Sequence, residues 1–431
     1  MLHIPNILPP SIIRHQPNPS LKYMDFDENH KFQQTLVSNM EEKPKKINCC
    51  NTTFRILILG KIFPKEGEAD SFKFLIPMYT IGLLIFCKSL FVILYIIIGL
   101  KGYYEIEQIK FGIVEFVSLV GTMWVIFFLV KNRHILIELA ERISDFSKFG
   151  EPPGYKEFET KWNFFAKIHF VYASGAGTFA FLVFAPMHVI KCNSINIEKN
   201  ATEICSMIFP IYIPGVGYHS LNNLPSIIII DIFEYVILTY VHAITATVMF
   251  LNLEIVEYLR IKIRHMNALI LTAFEGKHVS KRRKQFSEAV QYHNDILIMS
   301  KLIRTFFGRE LILHIILTGA IMGVCAFLMI QDNTIEVIMI FIGWLFCILM
   351  GCISGQRLID ESETIPRIMY NVDWYDFDKE LKKNIIIFLI KTQHPMFIQA
   401  GHVIMNNKQI VEILKMAYSC YTLFLAAFNN I

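Results

Sequence analysis

Near the end of the chain, Met416–Asn430 reads MAYSCYTLFLAAFNN. The stretch is apolar enough for a bilayer, yet it holds Ser419, Thr422 and two tyrosines. Followed in both directions, Lys408, Glu412, Lys415, Ser419, Thr422, Ala426 and Asn429 recur every three or four residues, which is one face of a helix. The face grades from charged to small and hydroxylic. The opposite face carries Ile410, Ile413, Leu414, Tyr421, Leu425 and Phe428. A polar stripe on a spanning helix needs something other than lipid. Either neighbouring helices bond to it, or it lines water, which requires several subunits around an axis.

The rest of the chain supplies the membrane. Of 431 residues, 54% are hydrophobic and only 18% are charged, where soluble domains carry about 25% charge; mean hydropathy is +0.43. A spanning helix needs about 20 mostly apolar residues. Seven stretches qualify: Phe72–Leu100, Phe111–Val130, Asn163–Ile190, Ser226–Leu253, Phe307–Ile330, Ile335–Gly355 and Lys408–Phe428, the third and seventh being the most polar. The expected fold is therefore an all-α membrane protein with a seven-helix domain over 72–431, preceded by an N-terminal segment, 1–71. The opening MLHIPNILPP lacks the apolar core of a cleaved signal, so the run from Phe72 is expected to act as an uncleaved insertion signal.

Lys and Arg set the orientation. Of 41, 33 lie in the N-terminal tail through Lys73 and the loops 131–161, 254–306 (with Arg309) and 356–401, against four on the other side. This predicts a cytoplasmic N-terminus and, with seven spans, an extracellular C-terminus. The sequon at Asn200 then falls outside and is the expected glycosylation site, whereas the sequon at Asn51 falls in the cytoplasm. Cys192 and Cys205 flank Asn200 in the oxidising compartment, where the two can pair; spacing does not decide it. The other apolar-run cysteines read as small buried hydrophobes.

The basic loops are not empty linkers. EIVEYLRIKIRHMNALI continues the helical pattern of the fourth span, and FSEAVQYHNDILIMSKLIRTFF leads into the fifth in the same way. The run IIIFLI, 385–390, is too short to span and reads as a helix buried against its neighbours. Together these predict a cytoplasmic helical bundle. The KRRK run, 281–284, reads as positive-inside charge in contact with lipid headgroups rather than as a nucleic-acid patch.

No HExxH, GxSxG, Walker loop, CxxC pair or GxGxxG is present, so no enzyme, cofactor or metal centre is expected. Charges within spans are costly and usually face a cavity or partner. Lys88, Glu115, Asp231 and Glu234 are such charges. The three acids either border a pocket open to the outside or are wet by the interface. Phe181, Phe184, Tyr235, Met322, Met329 and Phe341 are the apolar groups at the outer ends that a small-molecule pocket would use; lipid-facing aromatics read the same way.

The last 75 residues add a resemblance. Tyr370 and Trp374 stand four apart after the sixth span. KTQHP follows with Lys391, Gln393 and Pro395, then Ala400-Gly401, then AYSCYTLF. In order and spacing this is similar to the signature of the insect odorant receptor family. Ala417, Cys420 and Phe424 depart from its usual residues, which weakens residue-by-residue carry-over there. The related gustatory receptors are second, since Ala417 replaces their Thr and their terminal Gln is absent. A seven-span G-protein-coupled receptor has the opposite orientation, and DRY and NPxxY are missing.

The resemblance implies a ligand-tuned subunit of an odorant-gated cation channel, a hetero-tetramer with the family's co-receptor in the plasma membrane of olfactory sensory neuron dendrites. A small volatile ligand would bind in the outer half of the bundle. The last helix would line the pore with Ser419, Thr422, Leu423, Ala426 and Ala427, Leu423 and Ala427 matching a hydrophobic gate. Tyr370, Trp374, Gln393 and Pro395 would serve subunit anchoring, with Trp374 expected to be a large buried aromatic of the cytoplasmic bundle. Membrane lipid is the other implied partner, and nucleic acid is not one.

Overall fold

A computed structural model describes residues 47–65, 67–100, 106–199, 224–275, 278–332 and 335–428. Side chains 106–111, 180–181, 184–189, 191–199, 224–228, 230–231, 238, 331–332, 335–336 and 427–428 within these ranges are not described. The helices in chain order are α1 (Asn51–Leu59), α2 (Phe72–Ile98), α3 (Ile106–Lys131), α4 (Arg133–Ser144), α5 (Tyr155–Lys199), α6 (Leu224–Glu275), α7 (Val279–Asp332), α8 (Ile335–Ser362), α9 (Thr364–Tyr370), α10 (Lys379–Thr392) and α11 (Asn407–Phe428).

Helices α2, α3, α5, α6, α7, α8 and α11 carry the seven expected spans. Helix is the form in which a backbone in lipid satisfies its own hydrogen bonds. Among the described residues, α2, α3, α6, α7 and α8 contain stretches long and apolar enough to cross a membrane. The remaining two, α5 and α11, are the most polar of the seven in sequence.

The expected extensions are present. At 52 and 54 residues, α6 and α7 each run roughly 80 Å at about 1.5 Å per residue, far beyond a hydrocarbon core of about 30 Å. Their extensions beyond the spans are well buried, with Tyr258, Met266, Tyr292 and Phe306 almost wholly enclosed. Helix α4 packs on α7, and α9 on α6, α8 and α10. Lys262 is enclosed there. Its ammonium donates to the carbonyls of Arg142 and Asp145 at 3.3 and 3.0 Å, at the C-terminal end of α4. Burial pushes its pKa down to about 8.

The IIIFLI run forms the middle of α10, but only one face is buried. Leu381, Ile385 and Phe388 pack inward, while Ile386, Ile387 and Ile390 are exposed. A helix lying on the outside of a bundle can bury one stripe, and six consecutive apolar residues go all round it. The KRRK run also departs from the sequence reading. Arg283 pairs with Asp378 and Glu380 at 2.5 and 2.7 Å, and Arg282 lies over the Phe377 ring at 4.2 Å. Asp378 is the N-cap of α10, so two of the four cations hold that helix in place.

Two further elements were not expected. Residues 49–63 fold into the bundle, α1 packing on α5 and α6. There the Ser144 hydroxyl accepts from the Asn48 and Cys49 amides, and Thr53 donates to the buried carboxylate of Glu254. The chain also makes a short antiparallel hairpin, β1 (Gln399–Ala400) with β2 (Val403–Ile404). Gly401 turns it at φ +60°, a conformation that glycine adopts without penalty. The hairpin backbone sits against Gly308 of α7 and Gly355 of α8, where a side chain would meet the carbonyls of Gln399 and Met405. This accounts for the Ala400-Gly401 pair in the C-terminal motif.

Candidate functional site

Two arrangements within the spans carry polar chemistry. The first lies where α2, α3 and α6 meet. Lys88 of α2 forms ion pairs with Glu115 of α3, at 2.7 Å, and with Glu234 of α6. Lys88 and Glu115 are almost wholly buried and Glu234 is completely so. Each carboxylate thus gives one oxygen to the ammonium. Its other oxygen, Oε2 of Glu115 and Oε1 of Glu234, is buried without a hydrogen-bond donor among the described residues. Two turns along α3, Thr122 shares a hydrogen bond with Thr245 of α6 at 3.3 Å, which continues the polar seam.

Glu115 and Glu234 are therefore not wet, as one of the two sequence readings had them. They are enclosed, and the Lys88 side chain that pairs with both comes from α2. Asp231, named with them, has a side chain outside the described residues.

The second arrangement is α11. One face packs on α7, and Gly319 and Gly323 make room for it. A β-carbon on Gly323 would meet Cys420 and the Ala417 carbonyl, and one on Gly319 would meet Met416. Small residues four apart allow such close approach of membrane helices. Ile413 and Ala417 are buried there, and Phe424 packs against the core cluster of Val114, Ile321, Val324, Cys325, Leu328 and Val337.

The polar stripe faces away. Lys408, Glu412, Lys415, Ser419 and Ala426 are exposed and Thr422 is half-buried. The hydroxyls turn back on their own helix: Ser419 donates to the Lys415 carbonyl at 3.0 Å and Thr422 to the Ser419 carbonyl at 2.9 Å. Lys415 pairs with Glu412 at 2.8 Å. Leu423 is exposed on the same side, and Leu414, assigned to the opposite face by spacing, is exposed as well. Asn429 and the Ala427 side chain lie outside the described residues.

The model of the 7tm odorant receptor family matches residues 111–418, from the start of the α3 span into the middle of α11. The chain belongs to this odorant receptor family. Putative odorant receptor 85d of Drosophila melanogaster is 25% identical over 176 residues, 38% of this chain and 43% of that protein. Odorant receptor 67a of the same fly is 29% identical over 143 residues, 32% of this chain and 35% of that one. The chain thus spans less than half the length of the curated relatives it matches. In fold it is similar to the insect olfactory receptor OR5 from Machilis hrabei in complex with eugenol, with a TM-score of 0.69 at 13% identity over 87% of this chain and 97% of that one.

Within this odorant receptor family chain, the other candidates are spread out. The Tyr235 hydroxyl shares a hydrogen bond with Thr178 of α5 at 3.1 Å. Met322 is fully buried, and Phe341 packs on the same core cluster as Phe424. Phe181, Phe184 and Cys192 have side chains outside the described residues, and Asn200 and Cys205 lie outside them altogether. Tyr370 is 73% exposed at the end of α9. Trp374, expected to be a large buried aromatic, is half-buried in a single 3₁₀ turn, because it follows α9 on the rim of the bundle rather than within it. Gln393 ends α10 and is exposed, and Pro395 is half-buried beside Met396, whose amide donates to Ser362 at 2.9 Å.

Sequence reasoning passed over Glu310. It is buried in α7 with both carboxylate oxygens lacking a donor among the described residues. One turn on, His314 stacks on Trp344 of α8 with ring centroids 5.2 Å apart. The signal was present as two ionisable residues four apart, but the neighbouring Arg309 made the position read as interfacial.

Proposed function

We propose that this chain is a ligand-tuned odorant receptor subunit that forms an odorant-gated cation channel with the family's co-receptor. The N-terminus is cytoplasmic, the C-terminus extracellular and Asn200 glycosylated, and the protein works at the plasma membrane of olfactory neurons. The observation that carries the channel reading is the stripe on α11. It is polar, runs along a spanning helix, and is covered by no other helix described here. Of the two explanations for such a stripe, bonding to neighbouring helices within the chain loses support, because among the described residues Ser419 and Thr422 bond only to the backbone of their own helix. A water-filled path shared between subunits accounts for both facts. Ser419 and Thr422 then offer oxygens to hydrated cations, and Leu423, Ala426 and Ala427 narrow the path. The volatile ligand binds between the outer parts of α3, α5, α6, α7 and α8, with Phe181, Phe184, Tyr235, Met322 and Phe341 as the apolar groups that the sequence offers there. It opens the channel by its greater affinity for the open state. The rim carrying Tyr370, Trp374, Gln393 and Pro395, with the exposed isoleucines of α10, provides the surface for anchoring subunits.

Cysteine accessibility tests the reading. In a Cys420→Ala background co-expressed with the co-receptor, Thr422→Cys should lose odorant-evoked current on exposure to a water-soluble thiol reagent, faster with the channel open. Leu425→Cys should not. Full current after treatment at Thr422→Cys would remove α11 from the ion path.

A further inference from the structure

We infer that the α2–α3–α6 cluster is a recognition site for a small protonated amine, which binds beside Lys88 and completes the pairing of Glu115 and Glu234. This deepens the receptor reading and rests on it. Among the described residues, two carboxylates face one ammonium, all three enclosed within the spans. An unbalanced buried charge is costly, and more so in a membrane. The two carboxylate oxygens without a donor are acceptors only. The complementary ligand therefore brings N–H groups and a positive charge. An alcohol supplies one donor and no charge, and an ester or alkane supplies neither. The flanking sequence is apolar: Val92 of α2, one turn from Lys88, and Val114 of α3, next to Glu115, are both buried. The wall that can yield is α2, the least buried of the described membrane-length helices, which packs chiefly on α3 and gives the cluster its lysine.

The test uses the full chain in lipid nanodiscs at pH 7, with 1-hexylamine, 1-hexanol and heptane as probes and ligand-induced thermal stabilisation as the readout. Hexylamine should bind at least tenfold more tightly than hexanol, and heptane most weakly. Glu115→Gln, an isosteric change that leaves Lys88 paired one-to-one with Glu234, should abolish the amine's advantage; Glu234→Gln should do the same, should the first variant fail to fold. Equal binding of amine and heptane to the wild type overturns the inference without any variant, and so does an amine advantage that survives both substitutions. Currents in cells with the co-receptor separate the two readings. Currents evoked by neutral volatiles with no amine preference leave the receptor standing and remove the amine site. Amine binding with no current from any volatile leaves the site and removes the channel.

Discussion

Gly308 of α7 faces the carbonyl oxygen of Gln399 so closely that a β-carbon there has no room. Gly355 of α8 stands in the same relation to Met405, so the segment leading into α11 is held from both sides. The obstacle at each position is backbone, which cannot rotate away as a side chain can.

Gly308→Ala and Gly355→Ala should each therefore destabilise the protein by about 1–3 kcal/mol, the range for forced overpacking. Gly343→Ala, where the added carbon meets nothing within 4 Å, should be neutral or stabilising by up to about 1 kcal/mol, since alanine is the better helix former. Thermal midpoints of the purified chain in detergent check the contrast, and equal effects at Gly308 and Gly343 would contradict it.

Lys88→Met strands two carboxylates among apolar helices. Breaking a buried pair from one side costs about 3–5 kcal/mol. The triple variant Lys88→Met, Glu115→Gln, Glu234→Gln removes every charge at once and should recover most of that loss. Surface expression and thermal midpoint of the single and triple variants measure the difference; a triple variant no better than the single one would show that shape, not charge, is what the site requires.

Acid should loosen the lower bundle through His293. It is buried against the Phe388 ring, with centroids 5.1 Å apart, and burial pushes its pKa down to about 4. The unfolded chain takes up a proton below about pH 6.5, which the folded chain refuses. Stability is therefore at its plateau above pH 6.5 and falls as the pH drops towards 4, by roughly 3 kcal/mol in all at about 1.4 kcal/mol per unit. His293→Gln should flatten the pH dependence of the thermal midpoint in this window, whatever it does to the plateau.

Orientation is checked by glycan mapping. Asn200→Gln should abolish the endoglycosidase-sensitive mass shift and Asn51→Gln should leave it unchanged. The structure adds a second reason for the latter: the Asn51 side-chain amide is already engaged, donating to Glu159 at 2.7 Å. A glycan on Asn51 would invert the chain in the membrane.

The spans and the long extensions of α6 and α7 were legible because hydropathy and helical period are properties of contiguous residues. The hairpin was not. Its condition is that glycines at 308 and 355, far from it in the chain, admit its backbone, and such contacts exist only after packing. The charged cluster was half legible. Lys88, Glu115 and Glu234 each stood out as a charge in lipid, but nothing along the chain says that α2 brings its lysine between two acids on other helices. Trp374 and the α10 isoleucines went astray for one reason: residue type reports a liking for burial, while position on the rim decides whether a neighbour is there to provide it.

The uncovered stripe of α11 also has a bearing on supply. A solitary copy of this chain in a bilayer would turn Lys408, Glu412, Lys415 and Ser419 towards hydrocarbon or headgroups with nothing to shield them, and charged groups at membrane depth are expensive to leave so. On the proposed assembly, copies made in surplus over their partners are the ones a cell's quality control can recognise. The abundance of this subunit at the surface should follow the amount of its partner rather than the amount of its own transcript.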